Sequence, residues 1–542
     1  MGHPSARPAE QTVTVPWRFD SLGAALRELR ESRGRPLRDV APELSVSYAE
    51  LSRIERGQRP VTEVVAQAAE RFFSAELQAR DAVGSLIAAA ALSRPVRRSS
   101  RSSLPRALAE PLPAGLLLGR EREHAHLVAN LRAGGISTID GLPGTGATAL
   151  LAAAVRDLGS KYRPGRVLSA DVGDDPDPAI AYQVLGRWLS DLGVAAEDVP
   201  ARLEERGAAL DRALHGPPGL LIVENAVAAT QLRPLLALAS NRGYDLVVTS
   251  HRRLPEMTLS AGARPLTLRP LAAEDGARLL RALDKDGRLD TVPDGSLATI
   301  SRLCGGIPAA LHTVSAHLRR YDRLSVHDLH ETLADPTQRL DVLSDVDDER
   351  NGLRARLTRT YTALPADARW LFRTLALHGG QTVTLRGAAA LAGQAIDTVL
   401  PGLQQLTDAH VLEPTQPERW VWHTLPLLFA NELVHRFDDP YQRVHATRRW
   451  VHWLIQVATA AAETATTAEH HTSHIILDAE THNFAAATTV ATYHGQTGLI
   501  RQLISLLDQA GRPDLAERCK RVDTTAGTAP RWPPTGPSAT TP

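Results

Sequence analysis

The stretch Gly141-Leu-Pro-Gly-Thr-Gly-Ala-Thr148 follows directly on the apolar run Ile136-Ser-Thr-Ile-Asp140. It matches the pattern G-x-x-x-x-G-K-[ST], in which backbone N–H groups surround phosphates, the lysine contacts the β- and γ-phosphates, and the hydroxyl contacts Mg²⁺. Ala147 stands where the pattern has its lysine. We call Gly141–Thr148 the phosphate loop. It predicts a strand–loop–helix unit and leaves open whether the loop still binds nucleotide.

Apolar runs alternate with helical patterns around the phosphate loop, between about residues 115 and 255. The runs are Val167–Asp171, Leu220–Val223, which precedes Glu224, and Leu246–Thr249. Short apolar runs separated by helical segments are typical of parallel strands joined by helical crossovers. The sequence therefore predicts a parallel α/β domain.

Further motifs lie on both sides of this region. Gly119-Arg120 precedes it, and Leu266-Thr-Leu-Arg-Pro-Leu271, Cys304-Gly-Gly-Ile-Pro-Ala-Ala-Leu311 and Trp422-His-Thr424 follow. In this order and spacing they resemble the NB-ARC module of STAND-type signalling ATPases, a P-loop NTPase module found in actinobacterial regulators. The resemblance implies a nucleotide-binding domain, a helical domain and a winged helix.

The resemblance also implies roles for particular residues. The phosphate loop would surround the phosphates of ADP or ATP, Pro308 would pack near the adenine, and His423 would reach the β-phosphate of bound ADP. Mg²⁺ would lie near Glu224. The cofactor-binding residues implied in this way are Arg120, Gly141, Gly144, Thr145, Gly146, Ala147, Thr148, Ala149, Glu224, Pro308 and His423.

Four chemically important positions depart from the family pattern. Ala147 replaces the lysine, Glu224 replaces an aspartate that organises Mg²⁺, His251 stands where a sensor arginine is expected, and Thr424 replaces the aspartate after the histidine. A hydrogen bond to a charged group contributes about 1.5–3 kcal/mol, so loss of the lysine predicts roughly 10- to 100-fold weaker nucleotide binding. Hydrolysis should suffer more, because the transferred phosphoryl group loses a fixed cation.

Three interpretations follow from these changes: a pseudo-ATPase that still binds ADP or ATP weakly, one that binds no nucleotide, and an active switch. Arg120 or Arg252 could supply the missing cation. No catalytic residue is assigned, and ATP hydrolysis is not expected. The cluster Glu469-His470-His471-Thr-Ser-His474 could bind a metal, but a polar loop leading into a helix is favoured and no metal site is assigned. The two cysteines are far apart.

Residues 19–80 contain three short helical patterns, and the third reads Ser47-Tyr-Ala-Glu-Leu-Ser-Arg-Ile-Glu-Arg-Gly57. Short helices joined by tight turns predict a helix-turn-helix. The segment from Leu37 to Pro60 closely resembles the Xre/Cro-type DNA-binding domain, whose recognition helix ends in a similar S-x-I-E-x-G run. Pro42 within the second helix should shorten or kink it.

By resemblance, the recognition helix faces base edges in the major groove of double-stranded DNA, and arginines near its end lie close to phosphates. Leu51 and Ile54 would be core residues. The alternative is a small helical bundle that contacts another protein. The DNA-binding residues implied are Ser47, Tyr48, Ala49, Ser52, Arg53, Arg56 and Arg59.

The fold class predicted is multidomain α and α/β. The domains expected are a disordered N-terminus (1–18), the helix-turn-helix (19–92), a basic Arg/Ser/Pro linker (93–112), the P-loop domain (113–255), a helical ARC domain (256–345), a winged helix (346–435), a tetratricopeptide-like helical stub (436–523) and a disordered tail (524–542). The linker could touch DNA phosphates or simply be solvated.

Composition places limits on the partners. The 542 residues contain 61 basic and 61 acidic side chains, so a polyanion must be met by a local patch. The longest apolar stretch is too short to span a bilayer, and the scarcity of cysteine fits a reducing interior. A cytoplasmic protein without a membrane partner is expected.

Together these features predict a sequence-specific transcriptional regulator that forms homo-oligomers. Its degenerate NB-ARC core would act in oligomerisation or ligand sensing, because linked DNA-binding domains gain avidity from their effective concentration. The alternatives are an active STAND ATPase switch in stress or phage-defence signalling, and an adaptor that binds another regulator.

Overall fold

The computed structural model divides the chain into two compact units, residues 1–101 and 102–542. The structure describes residues 22–44, 46–55, 65, 68–69, 72–73, 117–159, 161–162, 166–173, 180–200, 202–214, 219–321, 324–344, 352–465, 475, 477–493 and 495–525. The predicted disordered N-terminus and the basic linker lie outside these residues. Each unit is described by itself.

Between residues 22 and 55 the first unit forms the helices α1 (Leu22–Ser32), α2 (Leu37–Glu43) and α3 (Tyr48–Glu55). Pro42 is the last but one residue of α2, which has seven residues. The apolar faces of the helices share one core that also includes residues following α3. Its buried members are Leu26, Leu29, Val40, Ala41, Leu44, Leu51, Ile54, Val65, Ala68, Ala69 and Phe73.

A buried ion pair connects the first and third helices. Arg30 Nε donates to Glu55 Oε1 at 2.7 Å and Arg30 Nη2 donates to Glu55 Oε2 at 2.8 Å. The two side chains are 12% and 5% exposed. The hydrogen bond to Glu55 raises the pKa of Arg30. The two parallel bonds form the bidentate geometry that makes Arg–carboxylate pairs strong and directional.

The second unit begins with an α/β sheet. Its elements are α4 (Glu121–Ala133), β1 (Ile136–Gly141), α5 (Ala147–Asp157), β2 (Val167–Asp171), α6 (Ile180–Asp191), α7 (Leu203–Leu214), β3 (Leu220–Glu224), α8 (Arg233–Arg242), β4 (Asp245–Ser250), α9 (Pro255–Ala261) and β5 (Arg264–Leu268). All the strands pair in parallel, in the order β2-β3-β4-β1-β5. The prediction of a parallel α/β domain is confirmed.

Alternate side chains of the central strands enter different cores. Leu221 and Val223 of β3 belong to one core, and Leu220 and Ile222 belong to the other. Helices therefore cover both faces of the sheet, which explains why β3 is apolar from Leu220 to Val223.

The predicted boundary at residue 255 needs correction. Strand β5 lies beyond it and pairs along β1, with Leu266 opposite Ile139. Arg264 and Pro265, the first two residues of β5, are exposed, and this hides the strand from a search for buried apolar runs. The sheet therefore ends at Leu268, and the helical region starts after it.

The rest of the second unit is largely helical. Its elements are α10 (Ala273–Leu283), α11 (Asp294–Leu303), α12 (Pro308–Arg320), α13 (Val326–Ala334), α14 (Pro336–Ser344), α15 (Leu353–Thr362), α16 (Ala366–Ala376), β6 (Thr382–Thr384), α17 (Leu385–Ala392), α18 (Ile396–Asp408), β7 (Leu412–Gln416), β8 (Arg419–Trp422), α19 (Thr424–Phe437), α20 (Pro440–Thr464), α21 (Thr481–Tyr493), α22 (Thr497–Gln509) and α23 (Pro513–Thr525). One continuous apolar core extends through this region.

The antiparallel strands β6, β8 and β7 form a small sheet in that order. Helices α16, α17 and α18 precede the β7–β8 hairpin, which is the element order expected of a winged helix. Its assignment as a winged helix stays a prediction. Helix α23 continues to Thr525, so the predicted tail boundary at 524 is slightly early.

His378 precedes β6 and is 3% exposed, with Nε2 2.9 Å from the carbonyl oxygen of Thr382. Burial lowers its pKa to about 4. As the pH falls, His378 is therefore protonated in the unfolded state before it is protonated in the folded state. The free energy of unfolding that the neutral histidine contributes is present above pH 6.5 and is lost as the pH falls towards 4. We expect His378→Gln to reduce the pH dependence of unfolding in that window by about 1.4 kcal/mol per pH unit. Urea unfolding at several pH values measures this, and parallel curves for both proteins would contradict it.

Within the described ranges, no helix is long and apolar enough to cross a membrane.

Candidate nucleotide and DNA-binding sites

The phosphate loop connects β1 to α5 at the carboxyl edge of the sheet. Gly144 and Gly146 have φ values of +89° and +100°, in the left-handed region that favours glycine. Gly146 is the N-cap of α5 and provides no side-chain cap. The first N–H groups of a helix have no intrahelical acceptors, so they are available to an anion. The loop thus has the backbone shape of a phosphate site.

A hydroxyl and two carboxylates converge beside the loop. Thr148 Oγ1 donates to Glu224 Oε2 at 2.9 Å. Burial raises the pKa of Glu224, and the nearby charge of Asp171 raises it further. Asn225 at the end of β3 donates to Asp171 Oδ1 at 3.0 Å. These oxygen donors are of the type Mg²⁺ prefers, so the predicted pair Thr148 and Glu224 fits that ion. Asp171 was missed, although it ends a predicted strand.

Arg120 lies at the base of the loop, and its geometry argues against a phosphate contact. Its guanidinium donates to the carbonyl of Thr145 at 3.2 Å, to that of Arg269 at 2.6 Å and to Glu123 at 3.0 Å. The residue is 5% exposed. These three bonds orient Arg120 towards protein acceptors, so it positions the loop. They do not favour the alternative in which Arg120 supplies the missing cation.

The segment before α12 packs on the other side of the loop. The N–H of Ala309 donates to the carbonyl of Gly144 at 3.2 Å. Pro308 is the first residue of α12, and Gly305 and Gly306 before it have φ values of +63° and +64°. The structure therefore brings the residues on either side of Pro308, Ile307 and Ala309, against Gly144 of the phosphate loop. The contact of Pro308 with adenine stays a prediction.

His423 is the N-cap of α19 and lies near the loop. Its Nε2 is 3.9 Å from Glu413 Oε2, and burial lowers its pKa to about 4. Together with Leu142 of the phosphate loop and Arg269, it lines a small cavity. The structure thus brings His423 and the loop together, and its contact with a β-phosphate stays a prediction.

A second histidine, which sequence reasoning missed, connects the sheet to the helical region. His410 Nε2 lies 3.0 Å from Asp140 Oδ1, and both side chains are 6% exposed. Thr267 Oγ1 donates to the same oxygen at 2.8 Å. The N–H of Arg253 donates to the carbonyl of Asp408 at 2.7 Å. These contacts place the end of α18 against the carboxyl edge of the sheet.

His251 follows β4 at the same edge. Burial lowers its pKa to about 4, with Arg359 and Arg356 lowering it further and a hydrogen bond to the backbone of Gly141 opposing the shift. It is neutral at pH 7, so it does not replace a sensor arginine as a cation. The sequence search did not single out Arg356 or Arg359.

The predicted DNA-contacting residues at the start of α3 are at the surface. Tyr48 is 57% exposed, Ser47 and Arg53 are exposed, and Ser52 is half-buried. Leu51 and Ile54 are buried, as predicted. Arg56, Arg59 and the side chain of Ala49 lie outside what the structure describes. The contacts of all seven residues with DNA stay predictions.

Comparison with known proteins supports this organisation. Residues 21–83 match a helix-turn-helix domain family. The chain is similar to the regulatory protein AfsR of Streptomyces coelicolor, with 30% identity over 331 residues, which is 60% of this chain and 32% of the relative. It is 29% identical to AfsR of Streptomyces griseus over 306 residues, 56% of this chain and 30% of the relative. The chain spans about a third of the length of these relatives.

Among solved structures, the chain is similar to a STAND protein with a tetratricopeptide repeat sensor from Pyrococcus horikoshii. The identity is 16% and the TM-score is 0.28, over 76% of this chain and 64% of the other. A Walker-type ATPase of Pyrococcus abyssi gives 16% identity and a TM-score of 0.38, over 58% and 95%. The chain thus combines a region similar to a helix-turn-helix domain family with a parallel α/β sheet, and more than half of it is similar to the AfsR relatives.

Proposed function

We propose that this chain is a sequence-specific DNA-binding transcriptional regulator. The observation that carries the proposal is the helix-turn-helix match, together with a third helix that buries Leu51 and Ile54 and exposes Tyr48 and Arg53. A recognition helix needs one face in the core and the opposite face available to the major groove. The similarity to AfsR supports a regulatory role.

Arg53 is the side chain we expect to read a base. Arg53→Ala should weaken binding to the preferred DNA by about 1–3 kcal/mol and leave binding to random DNA nearly unchanged, because one bidentate base contact contributes that much discrimination. DNA selected from a random pool by the wild-type protein provides the target, and retardation at fixed salt measures both affinities. Arg27→Ala, an exposed arginine on α1, is the matched control. Equal losses on both DNAs would assign Arg53 to phosphate instead.

We further infer that the α/β module binds ADP or ATP with little hydrolysis and controls the assembly of DNA-binding domains. The left-handed glycines of the phosphate loop and the Thr148–Glu224 pair support binding, whereas Ala147 argues against efficient turnover. Extracting nucleotide from the purified protein tests whether the module binds it. Sedimentation with and without Mg·ADP tests whether nucleotide controls assembly. A monomer with or without nucleotide that binds DNA undiminished would exclude control by assembly.

An active ATPase switch is the second candidate, because Thr148 and Glu224 retain a Mg²⁺-type geometry at 2.9 Å. Measurable turnover by the wild-type protein that Glu224→Gln abolishes would favour it.

A further inference from the structure

The phosphate loop lacks a cation from within its own motif, because position 147 is alanine. A nucleoside diphosphate brings two or more negative charges, which backbone N–H groups alone neutralise poorly. Arg120 is committed to backbone carbonyls. Arg252 and its neighbour Arg253 lie close enough to Asp408 to lower its pKa against the effect of burial. Arg120 therefore contacts the loop through a backbone carbonyl, and Arg252 lies near the carboxylate of Asp408.

A different pair of arginines reaches the loop from α15. A Cβ atom built on Gly144 would lie 3.7 Å from Arg356 Nη1, so this guanidinium is within contact distance of the middle of the loop. Arg359 follows three residues later on the same helix, and residues at this spacing share a helix face. Both side chains are half-buried.

The electrostatics at the start of the loop agree with this position. The ring of His251 bonds the backbone of Gly141, and the charges of Arg359 and Arg356 lower its pKa. The two arginines therefore place positive charge near both Gly141 and Gly144. A guanidinium keeps its charge at any accessible pH and binds phosphate oxygens in a bidentate manner.

We propose that Arg356 and Arg359 provide the cationic contacts to the phosphates of a nucleoside di- or triphosphate that the motif lysine provides elsewhere. This inference rests on the proposed nucleotide binding. Because α15 lies beyond the sheet in the chain, the phosphates would contact the α/β sheet and the helical region at once. Nucleotide would then stabilise the contact between them by RT ln(1 + L/Kd), where L is the free nucleotide concentration and Kd its dissociation constant.

The test measures Mg·ADP and Mg·ATP affinity of the full chain by titration calorimetry. We expect Arg356→Ala and Arg359→Ala to weaken binding by about 10- to 100-fold each, as for loss of a hydrogen bond to a charged group. Arg356→Lys and Arg359→Lys should retain most of the affinity because the charge remains. Arg302→Ala with Arg386→Ala, which removes two exposed arginines from α11 and α17, should leave it unchanged. Equal unfolding temperatures without nucleotide verify folding.

Ala147→Lys tests whether the two arginines take the place of the motif lysine or only add to the positive charge of the site. If the arginines already supply the cation, Ala147→Lys should tighten binding less in the wild-type chain than in the Arg356→Ala/Arg359→Ala chain. Equal gains in both backgrounds, or wild-type affinity in the double variant, would overturn the inference while leaving nucleotide binding intact. No binding by wild type or by Ala147→Lys would instead overturn the proposed nucleotide binding.

Discussion

Glu55→Ala should unfold the three-helix region around residues 22–55 and abolish specific DNA binding. Glu55 is 8% exposed and holds Arg30 by two hydrogen bonds of 2.7 and 2.8 Å. Removing one partner of a buried ion pair leaves the other charge without compensation and costs about 3–5 kcal/mol. That is a large share of the 5–15 kcal/mol that stabilises a typical domain. Hydrogen exchange of the peptides covering this range, in the full chain, measures the loss.

The control is Glu31→Ala, because Glu31 also contacts Arg30 but is 52% exposed. It should leave exchange and DNA binding unchanged. The double variant Arg30→Met/Glu55→Met should recover much of the protection, since an apolar pair of similar volume can replace a buried ion pair. If Glu55 were instead an exposed carboxylate near the DNA phosphates, its removal would tighten DNA binding. Tighter DNA binding by Glu55→Ala with unchanged exchange would therefore refute the structural role.

The parts of the fold that depend on short contiguous segments of sequence could be predicted. The phosphate loop is contiguous, its glycines are needed for the turn, and apolar runs around it indicate the parallel sheet. The apolar spacing within α3 likewise separates Leu51 and Ile54 from the exposed face. In each case one short segment contains both the signal and the structure it specifies.

The remainder depends on contacts between distant segments. Nothing near Arg356 or His410 in the sequence shows that these side chains reach Gly144 and Asp140. The resemblance implies a nucleotide contact for Arg120, whereas in the structure its guanidinium donates to the backbone carbonyls of Thr145 and Arg269. Sequence identifies a residue's chemistry, whereas its partner is decided by packing between elements.

Ala147→Lys should tighten Mg·ADP binding by about 10- to 100-fold, since the ammonium adds a hydrogen bond to a charged group. Ala147 is the first residue of α5 and is half-buried at the loop, so the new side chain begins where the motif places it. The increase in Mg·ADP affinity should be about 10-fold if Arg356 and Arg359 already contact the phosphates. Titration calorimetry measures it. Ala133→Lys, which adds the same charge on the exposed end of α4, should have no effect.

The same substitution also reports what the alanine has done to hydrolysis. Thr148 and Glu224 still form the hydroxyl–carboxylate pair at 2.9 Å, so the lysine is the main missing component of the phosphate site. We expect Ala147→Lys to gain ATP turnover and Ala147→Lys/Glu224→Gln to lose that gain while keeping the tighter ADP binding, because glutamine can still accept from Thr148 but carries no charge for Mg²⁺. Tighter binding without any turnover would mean that Ala147 is not what limits hydrolysis, and would direct attention to the neutral His251 in place of the sensor arginine.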